Sequence, residues 1–241
     1  MYNEWELPIE EEKLKEKKDY NLEELYNHAH SELSLQQTKR DQIITLYLAL
    51  CSFLVPFTLG EEVITWPLKG LIFIVIGLVG ILFSLVSVRY REYKEVYWLC
   101  CQSITVLKNF KDDEINKDSI QKVFYRCLYK KGKGYVKDNK MNYFKYVRKN
   151  SFSSETLHFI IIGLITSFVF GIGIAISLPV ILVLKIVVSV LIVLIVLVLL
   201  LYIYFRSCIK IYKVLASTDK EEKDQLFSKA FSKAWFLHMY Y

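Results

Sequence analysis

The sequence contains little that would break a helix. Between Asn21 and Pro56 there is neither glycine nor proline, and the 241 residues hold only 9 Gly and 4 Pro. Long uninterrupted helices are expected from that scarcity, since these two residues are the strong helix breakers. Strict apolar-polar alternation is also missing, which argues against a membrane β-barrel. Asp and Glu are absent from every long apolar run. A proton- or sodium-coupled transporter would be expected to bury a carboxylate there, and the pair of Gly/Pro-broken segments that marks many transporter sites is missing too. There is no GxSxG, HExxH, Walker A or GxGxxG motif, and Gly132-Lys133-Gly134 lacks the spacing of a phosphate loop. No enzyme activity, cofactor or metal is therefore expected. The five cysteines form no CxxC pair and the four histidines show no metal spacing, so free thiols in a reducing compartment are the expectation.

What the chain does have is apolar residues, 54 % of the total, gathered into four runs. These are Ile43–Leu59, Leu68–Val88, Thr156–Leu178 and Val180–Phe205, each near or above the ~17–25 residues that cross a bilayer as a helix. The chain opens acidic and reaches its first apolar run only at Ile43, which fits no signal peptide, so the first span is expected to act as its own insertion signal. Sixteen of 31 Lys and Arg lie between Arg89 and Lys149, and seven more follow from Arg206. The connections Gly60–Pro67 and Ser177–Pro179 carry none. The positive-inside rule then puts both termini and the central region in the cytoplasm of an inner-membrane protein.

The fold class expected is all-α: a polytopic membrane protein with four transmembrane helices in two hairpins, cytosolic helical stalks and a small cytosolic helical domain. Five regions follow. Residues 1–21 form a flexible acidic N-terminus, and 22–90 a cytosolic helix continuing into the first hairpin. Residues 91–155 form a cytosolic helical region, 156–205 the second hairpin, and 206–241 an amphipathic cytosolic helix. Asn21 and Glu24 read as a capping box opening one helix from Leu22 to about Leu59. The second span can run on to about Phe110. A polar break at 111–117 precedes a short helix, Ser119–Lys130, capped by Asp118. Another short helix fits within Tyr135–Asn150, and Ser217-Thr218-Asp219 caps the last from Lys220.

Helices in lipid associate through small residues. Gly77, Gly80, Ser84 and Ser87 share a face of the second span; Gly163, Ser167, Gly171 and Ala175 share one of the third; Thr45, Ala49, Ser52 and Pro56 lie along the first. They serve either packing within one four-helix bundle or a subunit contact or pore wall in a homo-oligomer. The fourth span, mostly Val, Ile and Leu, reads as lipid-facing. Lys185 lies near its outer end, where it can snorkel or form a ring in an oligomer. His158 lies near the cytosolic end of the third span.

Between positions 118 and 149 the net charge is +8, and rings are threaded among the cations. Lys122, Tyr125, Arg126, Tyr129, Lys130, Lys131, Lys133, Lys137, Lys140, Lys145, Arg148 and Lys149 are the candidate ligand-binding residues, with Phe124, Tyr135, Tyr143, Phe144 and Tyr146 beside them. Cations hold phosphates and rings stack on bases, which suits a nucleotide or short oligonucleotide. Cations and tyrosines beside a bilayer also hold anionic lipid.

The first helix carries Tyr26-Asn27-His28-Ala29-His30-Ser31-Glu32-Leu33 and Lys39-Arg40-Asp41-Gln42 into a hairpin, which leaves through Arg89-Tyr90-Arg91-Glu92-Tyr93-Lys94. In layout, over residues 22–110, this resembles the SLATT-type two-span effector modules of bacterial nucleotide-dependent conflict systems. More loosely it resembles multi-span antiphage effectors. The second hairpin lies outside the two-span pattern. The resemblance implies an envelope-disrupting pore triggered by a nucleotide signal from a partner nucleotidyltransferase. The function expected is an oligomeric effector channel gated at the basic-aromatic region; the alternative is a non-conducting scaffold that holds anionic lipid and docks a cytosolic protein.

Overall fold

A computed structural model describes residues 21–109, 117–137 and 140–216. The acidic segment 1–20, the polar break at 111–116 and the C-terminal helix expected from Lys220 lie outside the described residues. Within them the chain forms six helices: α1 (Leu22–Gly60), α2 (Trp66–Leu107), α3 (Lys117–Gly132), α4 (Tyr143–Asn150), α5 (Ser154–Ser177) and α6 (Leu182–Ala216). Two short antiparallel strands, β1 (Val136–Lys137) and β2 (Lys140–Met141), pair Val136 with Met141 and Lys137 with Lys140. Four helices, α1, α2, α5 and α6, are long and apolar enough to cross a membrane.

The helix ends follow local chemistry. The Glu24 amide donates to Asn21 Oδ1 at 3.1 Å, so Asn21 caps α1 as its sequence predicts. With nothing to break them, α1 runs for 39 residues and α2 for 42. The far end of α1 is closed by an unforeseen residue. Lys69 is buried, donates from Nζ to the Leu59 carbonyl at 3.0 Å, and sits 5.2 Å from the Trp66 ring centre. It thereby satisfies one of the orphan carbonyls at a helix C-terminus, where a cation also meets the negative end of the helix dipole. Asn142 caps α4 by accepting from the Lys145 amide at 2.9 Å, and Ser153 caps α5 through the Thr156 amide. One expectation needs adjusting. Helix α3 starts at Lys117, so Asp118 lies inside its first turn rather than at its cap. The segment ahead of α4 is a small hairpin of strands. Helix α6 extends beyond the apolar run, which ends at Phe205, to Ala216.

The chain divides into two units. Among the described residues, the first gathers 21–34, 95–109, 117–137, 140–141 and 214–216. Its buried residues include Leu25 and Ala29 of α1, Leu99, Ile104 and Leu107 of α2, and Val123, Phe124 and Leu128 of α3. The second holds Leu35–Lys94 and Asn142–Lys213. One core cluster there centres on Tyr47, Phe73, Ile76, Ile162 and Val169, and another on Val88, Phe159, Leu200 and Tyr204. In its apolar window, 44 % of α5 is buried against 6 % of α6, so α6 is the less enclosed of the two: one side, with Val193, Val196 and Leu200, packs inward and the other is exposed.

Candidate functional site

The stretch 118–149 is shared between the units: α3 and the strands belong to the first, α4 to the second. On α3, Ile120, Val123, Phe124, Cys127 and Leu128 recur at helical spacing and turn inward, with all but the half-buried Cys127 fully buried. The opposite face exposes Lys122, Arg126, Tyr129, Lys130 and Lys133. The five lie 4, 3, 1 and 3 residues apart, so they share one side of the helix. Lys131 differs from its neighbours. It pairs with Glu95 of α2 and sits over the Trp98 ring, 3.7 Å from its centre, so it fastens α3 to α2.

Most of the rings expected to receive a ligand are structural. Phe124, Tyr125, Tyr135 and Tyr146 are all buried. Of the rings in this stretch, Tyr129, Tyr143 and Phe144 are exposed. The cationic half of the expected site is therefore presented, while the stacking half on α3 reduces to Tyr129. Lys137 and Lys140 are paired backbone positions in the β1–β2 register, and Lys145, Arg148 and Lys149 stand exposed on α4.

The small-residue stripes separate. Gly77, Gly80, Ser84 and Ser87 of α2 are buried, as are Gly163, Ser167 and Gly171 of α5. A methyl group on Gly77 would lie 2.6 Å from Phe170 Cβ and 2.8 Å from its Cα, and Gly80 is crowded by the hydroxyls of Tyr47 and Thr166. On Gly171 it would meet Val193 of α6 at 2.6 Å. These two stripes thus pack inside the second unit. Thr45, Ala49, Ser52 and Pro56 of α1 are all exposed, with Ser52 donating back to the Leu48 carbonyl at 2.8 Å. Lys185 is half-buried near the start of α6.

A polar cluster escaped the sequence reading. Glu155, in the first turn of α5, is the only acidic residue between Asp138 and Asp219. It accepts ion pairs from Arg40 of α1 at 3.6 Å and from Arg91 of α2 at 3.4 Å, and it also pairs with Lys94. The Arg91 guanidinium lies 4.5 Å from the centre of the Tyr204 ring. The Tyr204 hydroxyl meets Thr156 Oγ1 at 3.0 Å, and its ring stacks on Phe159 at 4.3 Å. Arg91 Nη1 is buried without a hydrogen-bond partner among the described residues. Nearby, Ser207 of α6 donates to Glu92. One carboxylate thus collects cations from α1 and α2 at the start of α5, and Tyr204 adds α6. The isolation of Glu155 among cations was the available signal.

Outside the apolar segments, burial raises the Cys127 thiol above its ordinary range; Ser103, Lys130 and Arg126 only partly offset this. Burial likewise raises Cys100 and Cys101, and the five cysteines are free. Comparison with known proteins gives no matching family model, no matching curated protein and no matching solved structure.

Proposed function

We propose that the chain is the subunit of a homo-oligomeric membrane effector, a ligand-gated pore with both termini and the first unit in the cytoplasm. The observation that carries this reading is the exposed face of α1. The small-residue stripes of α2 and α5 are used up inside the chain, whereas Thr45, Ala49 and Ser52 remain open. Small and hydroxyl-bearing residues are what helices use to approach one another in lipid, so α1 is the helix offered to another subunit or to a pore wall. Four spans in two hairpins, α1 with α2 and α5 with α6, carry that face.

The gate is assigned to the cationic side of α3. Lys122, Arg126, Lys130 and Lys133 gather like charge on one face, and a phosphate-bearing ligand would relieve their repulsion. With Tyr129 the main exposed ring on α3, recognition rests on phosphates more than on base stacking, which favours a nucleotide or short oligonucleotide supplied by a nucleotidyltransferase. Helices α1 and α2 contribute to both units, so they are the elements through which binding would reach the spans.

Full-length protein in liposomes should conduct ions on addition of a nucleotide from a panel of cyclic and linear oligonucleotides. Lys122→Glu with Arg126→Glu and Lys130→Glu should remove both ligand binding and conductance. Ala49→Leu with Ser52→Leu should keep ligand binding, shift the complex toward monomer in native mass spectrometry, and abolish conductance. A protein that stays monomeric in lipid and never conducts would defeat this reading and leave the scaffold.

A further inference from the structure

The basic-aromatic stretch contains a second surface whose chemistry differs from that of α3. Helix α4 is held by its inner side. Tyr146 is buried with its ring 5.8 Å from that of Tyr212 of α6, and Lys213 of α6 lies 5.5 Å from the Tyr143 ring centre. At 100° per residue, Phe144, Arg148, Lys145 and Lys149 fall within an arc of roughly 140° on the other side, and all four are exposed. An open recess of about 490 Å³ runs along that arc, lined by Asn142, Phe144, Lys145, Arg148 and Lys149. Its size is in the range of small-molecule sites, ~300–1,000 Å³. Phe144 is 78 % exposed, and Phe152, in the turn between α4 and α5, is 84 % exposed. Rings of that size left open in water are costly, and the sequence between Lys140 and Ser154 carries cations and no acidic residue.

Position decides what covers this surface. Tyr212 lies seven residues beyond Phe205, the end of the α6 apolar run, or ~10 Å at 1.5 Å per residue. Headgroups extend ~5–8 Å beyond the hydrocarbon on each side of a bilayer. Helix α4 therefore stands at the outer margin of the headgroup layer, continuous with α5 through three residues, with cations and bare rings on the same side. We propose that α4 is a binding site for the phosphodiester headgroups of anionic phospholipid in the leaflet where α5 begins. The cations hold phosphate, and Phe144 and Phe152 enter the interface, as aromatic residues do at membrane boundaries. This site is separate from the ligand face of α3 and stands whether or not that face gates a pore.

The test uses full-length protein in mild detergent, titrated with phosphatidylglycerol, phosphatidylcholine or inorganic phosphate, with bound lipid counted by native mass spectrometry. Wild type should retain phosphatidylglycerol over phosphatidylcholine. Lys145→Ala with Arg148→Ala and Lys149→Ala should weaken that retention by at least tenfold, since each near-surface cation contributes roughly fivefold at low salt. Phe144→Ser with Phe152→Ser should weaken lipid without changing phosphate binding, and circular dichroism should show both variants fully helical. Lys122→Glu with Arg126→Glu should leave lipid retention intact. Unchanged retention in the Lys145/Arg148/Lys149 variant would overturn the proposal. So would free phosphate displacing the lipid at equal concentration, which would make the recess a soluble-anion site.

Discussion

At the residue scale, Glu155 illustrates how one charge can organise several helices. Burying an ion pair is not in itself stabilising, because desolvation offsets the attraction, but removing one partner strands the others. Glu155→Gln would leave Arg91 and Lys94 facing a neutral amide, with Arg91 already short of a partner on Nη1, while Arg40 keeps its pair with Asp41 at 2.7 Å. With Glu155 partly open to solvent, the expected loss is about 1–3 kcal/mol, read as a lower thermal midpoint in detergent. Cys127 gives a pH signature. Its thiol is raised in the folded state, so folded protein holds the proton at pH values where unfolded chain has lost it. Its contribution to stability is therefore complete below the ordinary thiol range and declines as pH rises through it. Alkylation of Cys127 by iodoacetamide in the folded protein should lag behind a free thiol near pH 8 and catch up only at higher pH. Neither residue stands out in a hydropathy trace; the loneliness of Glu155 among cations was visible, but which cations it would meet depends on three helices meeting.

At the element scale, two glycines that look alike in sequence have different surroundings. Gly77→Ala would drive a methyl into the Phe170 backbone, which cannot yield, whereas Gly163→Ala would meet Leu197 at 3.4 Å, an ordinary contact. The first substitution should cost about 1–3 kcal/mol, and the second should be nearly neutral. Thermal unfolding of the two variants side by side checks this. Spacing alone put both glycines on packed faces, and both faces are packed; only the partner's atoms tell the tight site from the loose one. The rings of α3 carry a related lesson. Ile120, Val123, Phe124, Cys127 and Leu128 already spelled a helical core stripe, but the density of cations around them drew attention to ligand chemistry. Lys131 shows the limit of pattern most clearly. The stripe through 124, 127 and 128 continues at 131, so spacing marks Lys131 as the inward lysine, but it does not show that Glu95 and Trp98 are what it meets. Lys131→Ala should therefore lower stability, while Lys130→Ala should leave it unchanged.

At the scale of the whole molecule, the four apolar helices and the unbroken lengths of α1 and α2 were legible because hydropathy and the absence of breakers act locally. The division into two units was not. It cuts α1 after Ser34 and α2 before Glu95, in stretches with no glycine, proline or change of periodicity to mark it. The unequal lengths of the apolar runs have a further consequence. Ile43–Leu59 of α1 has 17 residues, or ~26 Å of helix, while Leu182–Phe205 of α6 has 24, or ~36 Å. A typical hydrocarbon layer of ~30 Å is too thick for one and too thin for the other. The bilayer must thin beside α1, or α6 must lean by roughly 30–35° to fit, and both adjustments carry elastic cost. Thermal stability measured in nanodiscs of increasing acyl-chain length should therefore pass through a maximum. Mismatch of opposite sign on two helices makes the chain a gauge of bilayer thickness, with a preferred membrane set by geometry before any ligand arrives.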